Sequence, residues 1–395
     1  NDLRGRTPLT RGRLWVSPNK TNAEEMAYTP RPAWGFTPRR IVLSKGSRTT
    51  PDRRRFADAI CAAHHGAEVL HQPDVPHNRV DLGEAEPLAA LRRGKQTLVL
   101  GEHRSAVRES REDSNTCPNY WHVSPYGFCP YGCHYCYLAG TPGVRFSPTV
   151  KVFVNLGEIL TRVDRVASRL AEPTAFYVGK LQDGLALDPL TGYTRLLVPF
   201  FASHRYARMT LLTKSAAVGN LPDLDHRGHT ILSWSLNPAE IVRTFEAHTP
   251  SLDDRIAAMK RCAAAGYPVR AVVMPVIPMD GWEGVYETFL RRLLTEVPLK
   301  RITLGGICSY PTARGLLERR LGRDNAISRA LNPRGPSADG RLRYPPALRT
   351  ELFGRLIRTI RECASHLDIG LCLEETSVFR ALGLTDAIGR CNCVL

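Results

Sequence analysis

An α/β fold on a mainly parallel sheet, closed or partly closed, is what this sequence predicts. Three observations carry that expectation. From about residue 117 to 310, short runs rich in β-branched and apolar residues alternate with longer runs of helical periodicity, the pattern of repeated βα units. The chain has 395 residues, 43% of them apolar, enough for one large core with a smaller appended unit. No apolar run approaches the length that spans a bilayer.

Residues 1–35 are rich in Pro, Thr, Asn and Arg without periodicity, and read as an extended or partly disordered arm. A small α/β region is expected over 36–116. Its parts are a strand at 39–44, a helix at 51–66 with Phe56, Ile60 and Ala63 on one face, and a buried strand at 96–101. Residues 104–115 form a charged connector. In 117–310, strands are expected at 149–154, 175–178, 209–213, 230–236, 269–274 and 301–305. Helices are expected at 156–170, 193–204, 252–265 and 281–294, the third closed by the C-cap signal of Gly266. Residues 311–395 make an extension. It starts with a Pro-, Gly- and Arg-rich stretch to 345, with 332–340 as its clearest loop. A helix over 346–366 follows, with Leu348, Leu352, Leu356, Ile357 and Ile360 as a packing stripe, and then a buried strand over 369–374.

The formal charge is +16, and of 54 basic residues only eight are Lys. Such a balance suits a polyanionic partner: nucleic acid, a nucleotide or a phosphorylated substrate. An Arg-heavy composition accounts for it equally, because the Arg residues are spread along the chain. The eleven Cys are scattered, apart from one loop and one pair near residue 392, unlike a disulfide framework. A reducing, cytoplasmic location is therefore expected, and the polar, Arg-bearing first residues do not read as a signal peptide.

The chemistry concentrates in Cys129-Pro-Tyr-Gly-Cys133-His-Tyr-Cys136. Three thiols at spacings of four and three can wrap one soft-metal centre, and three thiolates leave a four-iron cubane with one iron unclaimed. Zinc would want a fourth nearby ligand, which His134 is poorly placed to give. Zinc and redox thiols remain the alternatives.

That spacing is also the signature of the radical S-adenosylmethionine (SAM) superfamily. With its flanks, His122-Val-Ser-Pro-Tyr-Gly-Phe-Cys129, Tyr137-Leu-Ala-Gly-Thr-Pro-Gly-Val-Arg145 and Val152-Phe-Val-Asn-Leu-Gly-Glu158, it resembles the spore photoproduct lyase family. The likeness continues through 233–238, 249–255, 265–268, 275–278 and 281–286, and spans about residues 40–375. It implies a partial (β/α)6 barrel over 117–310 and a small N-terminal α/β region, while the C-terminal helix and strand extension with its Cys-X-Cys tail is read from the residues themselves. It also implies a 4Fe–4S cluster on Cys129, Cys133 and Cys136, with S-adenosyl-L-methionine on the open iron. An electron donor of flavodoxin or ferredoxin type would reduce the cluster.

Reactive groups of such barrels gather at the C-terminal ends of strands. Lys214 closes one strand, and a Lys there suits a carboxylate or phosphate; a solvated strand end is the plainer reading. By the resemblance, Thr213-Lys214 and Ser235-Leu-Asn237 help to hold SAM, with Gln182 a further cofactor candidate. Tyr135 and Tyr137 flank the last cluster cysteine near cofactor and substrate, though packing beside a cluster explains them as well. Glu240 and Glu246 are candidate polar anchors that could also simply pair with Arg.

Two departures from the family pattern stand out. A cysteine that returns a hydrogen atom to the product is expected on the strand reading Phe176-Tyr-Val-Gly-Lys180-Leu-Gln-Asp183, and Lys180 holds its place. An ammonium is a poor hydrogen-atom donor. Secondly, Cys308 at a strand end, Cys372 in the last strand, and Cys391 and Cys393 as a Cys-X-Cys are candidates for a second iron–sulfur cluster; scattered core cysteines are the alternative. Cys61, Cys117, Cys262 and Cys363 read as structural.

The leading functional expectation is a radical SAM enzyme abstracting hydrogen from an anionic, nucleotide-like small molecule in a biosynthetic reaction, with Cys308 and Lys180 as further catalytic candidates. Sulfur insertion from the second cluster is one version of it. Repair of thymine photodimers in DNA is the alternative, and a nucleic-acid-binding protein with a structural cluster is a third reading.

Overall fold

A computed structural model describes residues 28–111 and 115–395. Fifteen strands run along them: β1 (Arg40–Leu43), β2 (Glu68–His71), β3 (Thr97–Gly101), β4 (Val107–Ser110), β5 (Tyr120–Val123), β6 (Tyr126–Gly127), β7 (Gly132–Cys133), β8 (Val150–Phe153), β9 (Thr174–Val178), β10 (Ala207–Thr213), β11 (Thr230–Ser235), β12 (Glu246–Ala247), β13 (Val269–Val273), β14 (Arg301–Leu304) and β15 (Asp368–Leu371). They form an eight-stranded sheet in the order β15-β14-β13-β11-β10-β9-β5-β4, a five-stranded sheet β2-β1-β3-β8-β6, and the pair β12-β7.

The large sheet is parallel from β5 to β15, with β4 antiparallel at one edge. It is the partial barrel that the sequence implies, with β15 added beyond β14. It does not close among the described residues, and its flanks approach one another where the Thr116 N–H and hydroxyl both donate to the Glu374 carbonyl, at 3.0 and 2.9 Å. The crossover helices form where apolar spacing dictates. Leu156–Leu170 buries Leu156, Ile159, Leu160, Val163, Val166 and Ala167 on one face and stops at Ala171, which is left-handed. Leu252–Ala264 starts at a capping box made by Ser251 and Asp254. One continuous core joins the two larger sheets.

The structure departs from the expectations in several places, and in the small region it adds β2 and the helix Pro87–Lys95. β8, expected as the first barrel strand, pairs with β3 in the small sheet, and β5 takes its place beside β9. β5 is only four residues long and mixes Trp and His with apolar residues, so it carries little strand signal. The connector at 104–115 contains β4. Residues 311–345 include the helix Pro311–Leu321, hidden from sequence by its Arg residues although Ala313, Leu316 and Leu317 are buried. Of the expected arm, residues 1–27 lie outside the described residues. Tyr28 donates its hydroxyl to the Pro189 carbonyl at 2.7 Å, and Ala33 is buried, so the last residues of the arm are packed. Among the described residues no helix is long and apolar enough to cross a membrane.

Candidate active site

The three loop thiols are held by contacts from both sides. Lys95, at the end of the helix Pro87–Lys95, donates to the carbonyls of Cys129 and Tyr131, the latter at 2.7 Å, and its ammonium lies 3.7 Å from the Phe128 ring centre. Its charge acts on all three thiols. On the other side β7 pairs with β12, setting Cys133 opposite Glu246, and the His134 N–H donates to the Phe245 carbonyl at 2.8 Å. The approach at Gly132 is close: a Cβ there would lie 3.0 Å from the His248 ring and 3.2 Å from the Ala247 carbonyl oxygen. Leu316 of the helix Pro311–Leu321 packs with Leu91, Phe128, Leu138 and Ala139 over the loop.

The loop cysteines are free thiols. Burial pushes the Cys129 and Cys133 thiols up, while Lys95 and Lys214 respectively pull the other way. Arg320 and Arg255 add positive charge near them. Three free thiols in a cationic, mostly apolar seat fit an anionic thiolate-bound cluster, and metal binding would displace their protons.

Beside the loop lies one polar network. The Lys214 ammonium donates to Glu246 Oε1 at 2.8 Å, Ser235 Oγ at 2.8 Å and the Tyr135 hydroxyl at 3.1 Å. Tyr135 donates to the same carboxylate, and Arg255 pairs with Glu246 Oε2 at 2.7 Å. Asn237 Nδ2 reaches Glu246 at 3.5 Å, and Asn237 Oδ1 accepts from Tyr286 at 3.0 Å. Burial alone would raise the Glu246 carboxyl, but Lys214 and Arg255 outweigh it and hold it at about 2. The candidates Tyr135, Lys214, Ser235 and Asn237 are thus brought together, at the C-terminal ends of β10 and β11 as the barrel rule expects.

Glu246 stands at the centre, a place that the sequence reading gave it only as one of two possible anchors. Asp183 was missed. Its carboxylate accepts from the Thr213 hydroxyl at 2.6 Å and from the N–H groups of Lys214, Leu185 and Ala186, fixing the turn that presents Lys214. Its position within Lys180–Asp183 was the available signal. Gln182 donates to the Val123 carbonyl at 3.0 Å, and its side-chain oxygen is buried without a protein partner among the described residues.

Tyr137 and Lys180 also meet. The Tyr137 hydroxyl donates to the Lys180 carbonyl, and the Lys180 ammonium is held by Ser110 Oγ, 5.1 Å from the Tyr120 ring centre. Cys308 is buried, but among Arg341, Arg343 and Asp339. Cys372, Cys391 and Cys393 gather elsewhere, and Cys117, read from sequence as structural, is with them.

Comparisons with known proteins agree on one family. A family model described as spore photoproduct lyase matches residues 40–304. A spore photoproduct lyase from a Geobacillus species is 35% identical over 234 residues, 58% of this chain and 66% of that protein. The Bacillus subtilis protein is 31% identical over 225 residues, 56% of this chain and 64% of its own length. The alignments thus span slightly under two thirds of these relatives. Among solved structures, spore photoproduct lyase complexed with dinucleoside spore photoproduct is 26% identical with a TM-score of 0.74, covering 86% of this chain and 100% of that one. A double mutant with bound AdoMet and dinucleoside spore photoproduct is 25% identical at TM-score 0.74, covering 85% and 98%.

Proposed function

The chain belongs to the spore photoproduct lyase family of radical SAM proteins, and from that premise we propose that it is a SAM-dependent radical lyase acting on a thymine photodimer in DNA. The observation that carries this reading is the union of the thiol loop with the Lys214–Glu246 network through β7 and β12, inside the matched span. Cys129, Cys133 and Cys136 would hold a 4Fe–4S cluster, and Tyr135, Lys214, Ser235 and Asn237 the methionine end of SAM. Bound there, and given one electron by an external donor, cluster and SAM would supply the means of hydrogen-atom abstraction from the lesion.

The chain's own residues prepare that site. Lys95 saturates two loop carbonyls and sets a positive charge beside the thiols. Leu316 and Phe128 pack with Leu138 and Ala139 beside the loop. Lys214 already spends its three hydrogens within the protein, so a carboxylate ligand takes one of them over rather than meeting a free charge. The formal charge of +16 favours a polyanion such as duplex DNA.

Lys180 sets this chain apart. Where the family resemblance expects a thiol that returns hydrogen, an ammonium stands, held by Ser110. Repeated turnover on the lesion is therefore slow in the native chain, and Lys180→Cys raises it about tenfold or more. The same observation favours a second reading, in which Lys180 grips the phosphate of a smaller, nucleotide-like substrate. Sulfur insertion finds no support, since the relatives described above are all lyases.

The test uses reduced, reconstituted protein with SAM and photodimer-containing DNA. Restored thymine together with 5′-deoxyadenosine supports the lyase, and the Cys129→Ala, Cys133→Ala, Cys136→Ala triple variant makes neither. SAM cleavage with the lesion untouched by both native and Lys180→Cys protein overturns the DNA substrate and leaves the smaller one.

A further inference from the structure

Four cysteines from three separate parts of the chain meet away from the loop at Cys129–Cys136. Cys117 lies just before β5, Cys372 just after β15, and Cys391 and Cys393 in the last described segment. The Cys391 thiol lies beside those of Cys117 and Cys393, and Cys372 lies within electrostatic reach of both Cys117 and Cys393. Thr116, next to Cys117, donates its N–H and hydroxyl to the Glu374 carbonyl, two residues from Cys372. All four are free thiols.

The segment that brings Cys391 and Cys393 is held in place. Arg301 donates to the carbonyls of Cys391 at 2.9 Å and Leu395 at 3.2 Å, and Arg270 to that of Val394 at 2.6 Å. Gly370 on β15 lets it pass, since a Cβ there would lie 2.2 Å from the Arg390 carbonyl oxygen. Two further observations point to an occupant. Asn392, between the two thiols, is 4% exposed, and both polar atoms of its amide lack a protein partner among the described residues. The seat is also cationic: Arg270 and Arg301, 6% and 9% exposed, both act on Cys391, with Asp368 as the neighbouring carboxylate. Buried guanidinium groups want anionic partners, and a four-thiolate centre is one.

We propose that Cys117, Cys372, Cys391 and Cys393 ligate a second iron–sulfur cluster, which bridges the open seam between the flanks of the large sheet. Thiolates select soft metals. Among the described residues no three ligating side chains converge as a single ion requires. Four thiolates beside buried guanidinium groups match the charge of an anionic cluster, as the cationic seat of the Cys129–Cys136 loop does. This revises the set expected from sequence: Cys117 enters and Cys308 leaves. The two cysteine sets neighbour one another through Tyr137, which lies within electrostatic reach of Cys136 and of Cys393, and Tyr177 lies within reach of Tyr137, Cys372 and Cys393.

The test reads metal, not turnover, so it is independent of the substrate. Full-length protein, reconstituted without oxygen, is analysed for iron, acid-labile sulfide and zinc. The Cys129→Ala, Cys133→Ala, Cys136→Ala variant keeps roughly half the native iron and sulfide, with visible absorption that SAM does not perturb. The Cys391→Ala, Cys393→Ala variant keeps the other half, with an electron paramagnetic resonance signal that SAM shifts. One cluster's worth of iron in the native protein overturns the proposal, as does zinc or a Cys117–Cys391 disulfide in place of the second cluster. Should a variant misfold, the native iron and sulfide count decides alone.

Discussion

Glu246 carries the charge balance beneath the cysteine loop. Two cations, Lys214 and Arg255, share its one buried carboxylate. Held at about 2 against an ordinary 4.5, it is a carboxyl with a depressed folded value. Its contribution is complete above pH 4.5 and is lost as pH falls towards 2. Glu246→Gln leaves both cations buried without a counter-charge, which costs about 3 kcal/mol. Urea unfolding should show that loss, and calorimetry of SAM binding should show weaker affinity with the iron content of the loop retained. Unchanged unfolding and affinity would remove Glu246 from the centre of the site. Residues of this kind were only partly legible. Tyr135, Lys214, Ser235 and Asn237 stood at strand ends or motif positions. Glu246 and Asp183 act by accepting several bonds from distant parts of the chain, and spacing along the sequence does not register that.

At the scale of elements, the long amphipathic helices and the apolar strands were plain, since Leu156–Leu170 and β13 are written in periodicity and β-branching. What escaped was short or polar. β7 and β12 have two residues each, and the helix Pro311–Leu321 covers the thiol loop with few apolar residues. The seat of residues 390–395 depends on β15 as much as on that segment, and Gly370 is where this is tested. Gly370→Ala puts a methyl group against backbone that has no flexible end to yield, so the segment shifts. Arg270 and Arg301 then lose their carbonyl acceptors, and the thermal midpoint falls by several degrees, equivalent to about 1–3 kcal/mol. The loss should come with freer alkylation of Cys391 and Cys393 in the metal-free protein. A melting curve and thiol count equal to the native ones would mean that the segment is seated by other contacts.

At the scale of the whole molecule, three buried or half-buried histidines, His77, His103 and His122, are kept uncharged. Burial holds His77 at about 3 and His103 and His122 at about 4, with Lys151 and nearby arginines adding to it. The rings of His77 and His103 pack with Phe153. Unfolding frees these bases to bind protons near their ordinary 6.5. Stability therefore falls on acidification from 6.5 towards 4, by about 1.4 kcal/mol per pH unit for each histidine within its window. Denaturant midpoints between pH 7.5 and 4.5 should decline accordingly, and a level profile would exclude these rings as the cause. Distance along the chain governs a different kind of coupling. Cys133 and Glu246 face each other across a ladder of two residue pairs, so an occupant on one side restrains the other. Linkage makes the two effects equal. A ligand held above Lys214 tightens the protein's hold on iron, at equilibrium with a competing chelator, by the same factor by which iron improves that ligand's affinity, so the metal partition becomes a measure of what the protein binds.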